Sequence, residues 1–185
     1  MTMEHSDSEK NTGPYIGMLG GGVPSSDGSS KILPPFLDGG NYKVTGSGGK
    51  DVGAFSATVN IPAVVRWTNR DSLSTIDRGA NLTLTWSGGT PAKQLVMIGG
   101  VSNDSKTKAT AGFFCFVPAD TGKYTVPPSI LGNLPAGVAA NPTDSMGVLF
   151  VGTIPSGEYS KFTASGLDSG MLIYGALSSK PVVYK

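Results

Sequence analysis

Leu82-Thr83-Leu84-Thr85-Trp86-Ser87-Gly88-Gly89 is the stretch that decides the fold. Leu82, Leu84 and Trp86 share one parity, and Thr83, Thr85 and Ser87 share the other. Successive side chains of a strand point to opposite faces, so this alternation marks a strand with one buried and one wet face. Gly88-Gly89-Thr90-Pro91 then supplies the turn that ends it.

The same period runs outward in both directions. Toward the N-terminus, Val65 and Trp67 face one way and Arg66 and Thr68 the other. Earlier still, Phe55, Ala57, Val59 and Ile61 alternate with Ser56, Thr58 and Asn60, and Pro62 closes the run. Tyr42 and Val44 share a face before the Gly46-Ser47-Gly48-Gly49 turn. Toward the C-terminus, Leu95 to Ile98 is apolar on both parities, which reads as a central strand. Phe113-Phe114-Cys115-Phe116-Val117 reads as a buried strand and Tyr124-Thr125-Val126 as a short one. Pro127 to Leu131 is expected to make one helical turn, with proline suited to its start and Gly132 to its end. Strands over 147–154, 159–164, 171–177 and 181–184 complete the set.

Composition agrees. The 185 residues hold 27 Gly and 13 Pro, and only 15% are charged, against roughly 25% in an ordinary soluble domain. Many turns and few charges suit short strands rather than helices. No long stretch with a 3.6-residue period is available for the crossover helix of a parallel sheet. The expectation is an all-β chain: an antiparallel immunoglobulin-like β-sandwich over 64–185. A preceding β-hairpin within 32–63 either adds strands to it or belongs to an upstream domain. Residues 1–31, with Gly20-Gly21-Gly22 and the polar Ser25 to Ser30 run, are expected to be disordered or weakly ordered.

Several segments in this order resemble one family. They are Gly40-Asn41-Tyr42-Lys43-Val44-Thr45-Gly46-Ser47-Gly48-Gly49-Lys50-Asp51-Val52-Gly53-Ala54-Phe55, then Trp67-Thr68-Asn69-Arg70, then the Leu82 to Gly89 stretch. Tyr124-Thr125-Val126-Pro127-Pro128 and Phe162-Thr163-Ala164-Ser165-Gly166-Leu167-Asp168 fit the same pattern. Together, over about 36–185, they resemble the C-terminal β-rich region of uncharacterised exported proteins of Acidobacteria of the Solibacter type. The resemblance implies an extracellular or cell-surface location and carries no catalytic residue. Such proteins begin with a signal peptide and further β-rich sequence. Met1 to Thr12 is polar here, without an apolar core for export, so a fragment of a longer exported chain, or a truncated or mis-started reading frame, is expected.

Candidate chemistry is sparse. A net charge of +1 with scattered Lys and Arg offers no basic stripe for nucleic acid. No run of about 18 apolar residues exists to span a membrane. The single cysteine, Cys115, reads as a core residue. The single histidine, His5, stands in a polar N-terminal tail without packing signals, so a His-based catalytic triad is not expected. Gly46 to Lys50 lacks the Gly-Lys-Ser/Thr and following helix of a phosphate loop. Asp71, Asp77, Asp104, Asp120, Asp144, Glu158 and Asp168 are the carboxylates that glycoside hydrolysis or a Ca²⁺ site would need, yet nearly all stand in turn sequence, where Asp caps its own backbone. Trp67, Trp86, Tyr42, Tyr124, Tyr159 and Tyr174 could stack on sugars, but both tryptophans share parity with apolar residues and read as core. Asn81-Leu82-Thr83 and Asn103-Asp104-Ser105 match the glycosylation sequon and carry no meaning in a bacterial chain.

No catalytic, cofactor or metal residue is therefore assigned, with Ca²⁺ the one ion considered. The expected function is a non-catalytic structural or interaction module whose partner is a protein or a polysaccharide. The alternatives are a carbohydrate-binding module and, more remotely, a hydrolase using loop carboxylates.

Overall fold

The computed structural model describes residues 38–104, 106–137, 147–157 and 159–185, and the backbone pairing of β1 (Glu4–His5) with β2 (Tyr15–Ile16). The chain divides into two compact units, Met1–Leu37 and Asp38–Lys185. Apart from that short pairing, the segment read as disordered lies outside the described residues.

The second unit is built from strands. A hairpin of β3 (Gly40–Gly46) and β4 (Phe55–Ile61) comes first, in register from Gly40 opposite Ile61 to Gly46 opposite Phe55. Then follow β5 (Arg66–Trp67), β6 (Thr75–Ile76), β7 (Leu82–Ser87), β8 (Gln94–Asn103), β9 (Thr110–Pro118) and β10 (Lys123–Val126). A helical turn, α1 (Pro128–Leu131), precedes β11 (Gly147–Pro155), β12 (Ser160–Phe162), β13 (Gly170–Leu172) and β14 (Ala176–Tyr184). The class is all-β.

Two sheets enclose the core. One has the order β10-β7-β5 and the other β6-β14-β11-β8-β9, antiparallel throughout except where β6 lies parallel to β14. Leu82, Leu84 and Trp86 of β7 and Val126 of β10 meet Val96 and Ile98 of β8, Phe113 of β9, Leu149 and Val151 of β11, and Val182 and Tyr184 of β14. Leu131, the last residue of the helical turn, and Leu134, just past it, join the same cluster. The Trp86 indole N–H donates to the Ala119 carbonyl at 2.9 Å, which satisfies both groups in an apolar interior.

The chain changes sheets between β5 and β6. There a 3-10 turn, Arg70–Ser72, lies against the side of β14. The Arg70 guanidinium donates to Ser179 O at 2.8 and 3.2 Å, and Lys180 Nζ returns bonds to the Arg70 and Asp71 carbonyls. This covers part of the β14 edge that β6, only two residues long, does not reach.

The connection from β11 to β14 carries the β12–β13 hairpin, which packs on β4. Phe55 and Phe162 stack with ring centroids 4.5 Å apart, and Gly53 N–H donates to Ser165 O at 2.8 Å. Gly166, at φ +84°, lies so close to the Asp51 carbonyl that no side chain fits there. Thus the Gly-rich stretch near Asp51 and the Phe162-to-Asp168 stretch, far apart in sequence, form one contact.

Two expectations need correction. The strands read over 171–177 and 181–184 are divided differently. β13 ends at Leu172, Ile173-Tyr174-Gly175 breaks the chain, and a single β14 carries Pro181 in its interior. Proline is tolerated there because β6 pairs only with Val183 and Tyr184, so the far side of β14 at Pro181 needs no amide donor. The Phe113 to Val117 strand is not buried on both sides. It belongs to β9, which pairs only with β8 and leaves one face open.

Candidate functional site

Among the described residues, those singled out for catalysis do not come together. The His5 side chain, Asp144 and Glu158 lie outside the described residues. Asp77 accepts from Gly79 N–H at 2.8 Å, and Asp104 accepts from Lys106 N–H and the Thr107 hydroxyl at 2.9 and 2.8 Å. Those two bonds, the Thr107 hydroxyl first, hold the Asp104 carboxyl below the usual aspartate range. Both aspartates therefore cap their own turns. Asp71 pairs with neighbouring Arg70 at 3.3 Å and is almost wholly exposed. Among the described residues no group of three His, Cys, Asp or Glu is placed to hold a metal ion. The Gly46-to-Lys50 stretch is the loop of the first hairpin, closed by Gly49 N–H on Val52 O, and a strand follows it.

The tryptophans do not make a platform. Trp86 is 5% exposed, and half-buried Trp67 packs on the core with its indole N–H on Asn69 Oδ1 at 2.9 Å. Cys115 is half-buried against the same core. Its thiol lies by the Tyr124 hydroxyl and pushes that phenol's pKa up. An open hollow of about 410 Å³ lies between Asp38, Gly39, Ala63, Val64, Arg66, Ser87 and Gly88 and holds no nucleophile beside a base.

The feature that stands out is the outer face of the five-stranded sheet. Register fixes what lies on it. Across β9, β8, β11 and β14, one row reads Phe116, Met97, Gly152, Leu177, and the next Phe114, Gly99, Phe150, Ser179. Gly112, Val101, Val148 and Pro181 form a third row, and Pro118, Leu95 and Ile154 flank the first. No Asp, Glu, Lys or Arg stands at an outward position of these strands. Phe114, Phe116 and Leu177 are 58%, 53% and 54% exposed.

Glycines shape this surface. The Phe150 ring occupies the space that a side chain at Gly99 would need. Phe150 is thereby buried, and Phe114 leans on it with ring centroids 5.4 Å apart and planes tilted by 50°. A side chain at Gly152 would meet Leu177. The result is a broad apolar floor with the Phe114 and Phe116 rings standing along one side.

The outer face of the other sheet has the opposite character. Thr83 and Thr125 share a hydroxyl hydrogen bond of 2.9 Å, and Thr68 and Thr85 one of 2.7 Å. Asn69 adds bonds to Thr83 O and Thr85 N–H, and Arg66, Ser87 and Lys123 are exposed. The two sheets thus show water a polar face and an apolar one.

Sequence reading missed the apolar face although its signal was present. Residues 95–98, 113–117 and, Thr153 apart, 147–154 carry no polar side chain on either parity. Of two sheets packed face to face each buries one face in the shared core, so three such strands side by side leave an apolar outer face that no other strand or helix among the described residues covers. Among the described residues no helix is long and apolar enough to cross a membrane. No protein-family model, curated protein or solved structure matches the chain.

Proposed function

We propose that the chain is a non-catalytic, immunoglobulin-like interaction module of an exported bacterial protein, and that it docks an apolar protein surface on the outer face of its five-stranded sheet. One observation carries this reading: four adjacent strands present a charge-free outward surface with phenylalanines more than half exposed. Contiguous apolar patches of this kind mark interaction sites, whereas single exposed apolar residues do not.

The strand order supports the immunoglobulin-like part. β7 and β10 lie in one sheet, β8, β11 and β14 in the other, and the first strand is divided between them as β5 and β6. That arrangement matches the B and E strands of such domains facing the C, F and G strands. The low charge and the resemblance to exported proteins support the location. The carbohydrate reading is weaker, because Trp86 and Trp67 are turned into the core.

The test uses the dye 8-anilinonaphthalene-1-sulfonate on dilute, folded chain. Dye fluorescence should rise with the wild type and with Thr125→Lys on the polar face, and fall at least fivefold with Phe116→Lys. Absence of dye binding, or binding indifferent to Phe116→Lys, refutes the reading.

A further inference from the structure

We infer that the occupant of this face is a second copy of the chain, two copies stacking their five-stranded sheets across a two-fold axis. The inference rests on the docking-face reading above and adds the identity of the partner. Three observations favour a second copy.

The first is charge. A face that meets itself brings every side chain near a copy of its own kind, so one lysine cluster or one aspartate pair would oppose the contact. The outward positions of β8, β9, β11 and β14 carry none.

The second is size. Four strands about 4.8 Å apart, along the ten residues of β8 at about 3.3 Å each, span about 600 Å² per copy. Two copies bury about 1,200 Å², the lower bound of stable interfaces.

The third is shape. Sheets stack when their twists match, and two identical sheets carry the same twist. A two-fold axis along the strands lays β9 of one copy over β14 of the other. Phe116 then meets Leu177 and Phe114 meets Ser179, while Met97 sits over the low ground at Gly152 and Phe150 over Gly99 near the axis.

Sedimentation velocity of the full chain, from about 1 to about 300 µM, tests this. The expected result is a shift from 18.9 kDa monomer to twice that mass. Met97→Lys and Phe116→Lys, at unchanged circular dichroism and within a few degrees of the wild-type melting temperature, should each weaken the dimer at least tenfold. Thr125→Lys should dimerise as the wild type does. A wild type that stays monomeric at every concentration overturns the second-copy inference. If that monomer still binds the dye through Phe116, the docking face stands and its occupant is a different protein. If it does not bind the dye, both readings fall. A dimer indifferent to Met97→Lys and Phe116→Lys also overturns the inference, since its interface lies elsewhere.

Discussion

Replacing Trp86 with phenylalanine separates the two roles a tryptophan can play in this chain. Trp86 is 5% exposed and its N–H is bonded to the Ala119 carbonyl at 2.9 Å. Phenylalanine abandons that carbonyl in an apolar interior, at a cost of about 1–3 kcal/mol. The smaller ring leaves a partial cavity worth about 1–2 kcal/mol more. The sum is about 3 kcal/mol, a fall in melting temperature of roughly 6–12 °C for a domain of this size. Trp67→Phe is the internal control. Trp67 is only half-buried, and Asn69 Oδ1 keeps its bond from Thr85 N–H at 3.0 Å when the indole is gone. That variant should cost less than about 1 kcal/mol. Urea and thermal unfolding followed by circular dichroism measure both. Equal losses in the two variants, or a Trp86→Phe melting point within about 2 °C of wild type, would refute the assignment of Trp86 to the core.

Thr153 and Tyr184 give sharper tests of the interior. Thr153 is buried and its hydroxyl has no hydrogen-bond partner among the described residues, so Thr153→Val, of nearly the same shape, should leave stability unchanged or raise it by about 1 kcal/mol in urea unfolding. A loss of stability would mean that the hydroxyl is bonded after all. Burial pushes the Tyr184 phenol pKa well above its ordinary value of about 10. The unfolded chain therefore ionises this phenol first. Stability should be intact below about pH 10 and should fall above it, by up to about 1.4 kcal/mol per pH unit. Tyr184→Phe should flatten that alkaline slope, and an unchanged slope between pH 10 and 12 would contradict it.

Much of the fold was legible because alternation is an unambiguous code where only one parity is apolar. Leu82, Leu84 and Trp86 declared both their strand and their buried face, as did Phe55, Ala57, Val59 and Ile61. The code fails where both parities are apolar. In Phe113-Phe114-Cys115-Phe116-Val117 nothing local says that Phe113 faces the core and its neighbour does not. Only the sheet order decides, and that is set by pairings with β8 between residues far apart in the chain. Pro181 misled for a related reason, since proline ends a strand only where its partner needs the missing amide. The contact of Phe55 with Phe162 was invisible for want of any local signal. The candidate site was hidden by the same ambiguity, because its residues looked like ordinary core.

The most direct measurement is hydroxyl-radical footprinting of the dilute chain, read at the three phenylalanines of β9 by mass spectrometry. Phe113, Phe114 and Phe116 have the same intrinsic reactivity and sit within four residues of one another, so only their faces differ. At 58% and 53% exposure against 8%, Phe114 and Phe116 should be labelled several times faster than Phe113. Equal labelling of all three, or Phe113 labelled fastest, would put β9 in another register, turn the apolar face into the core and contradict the account.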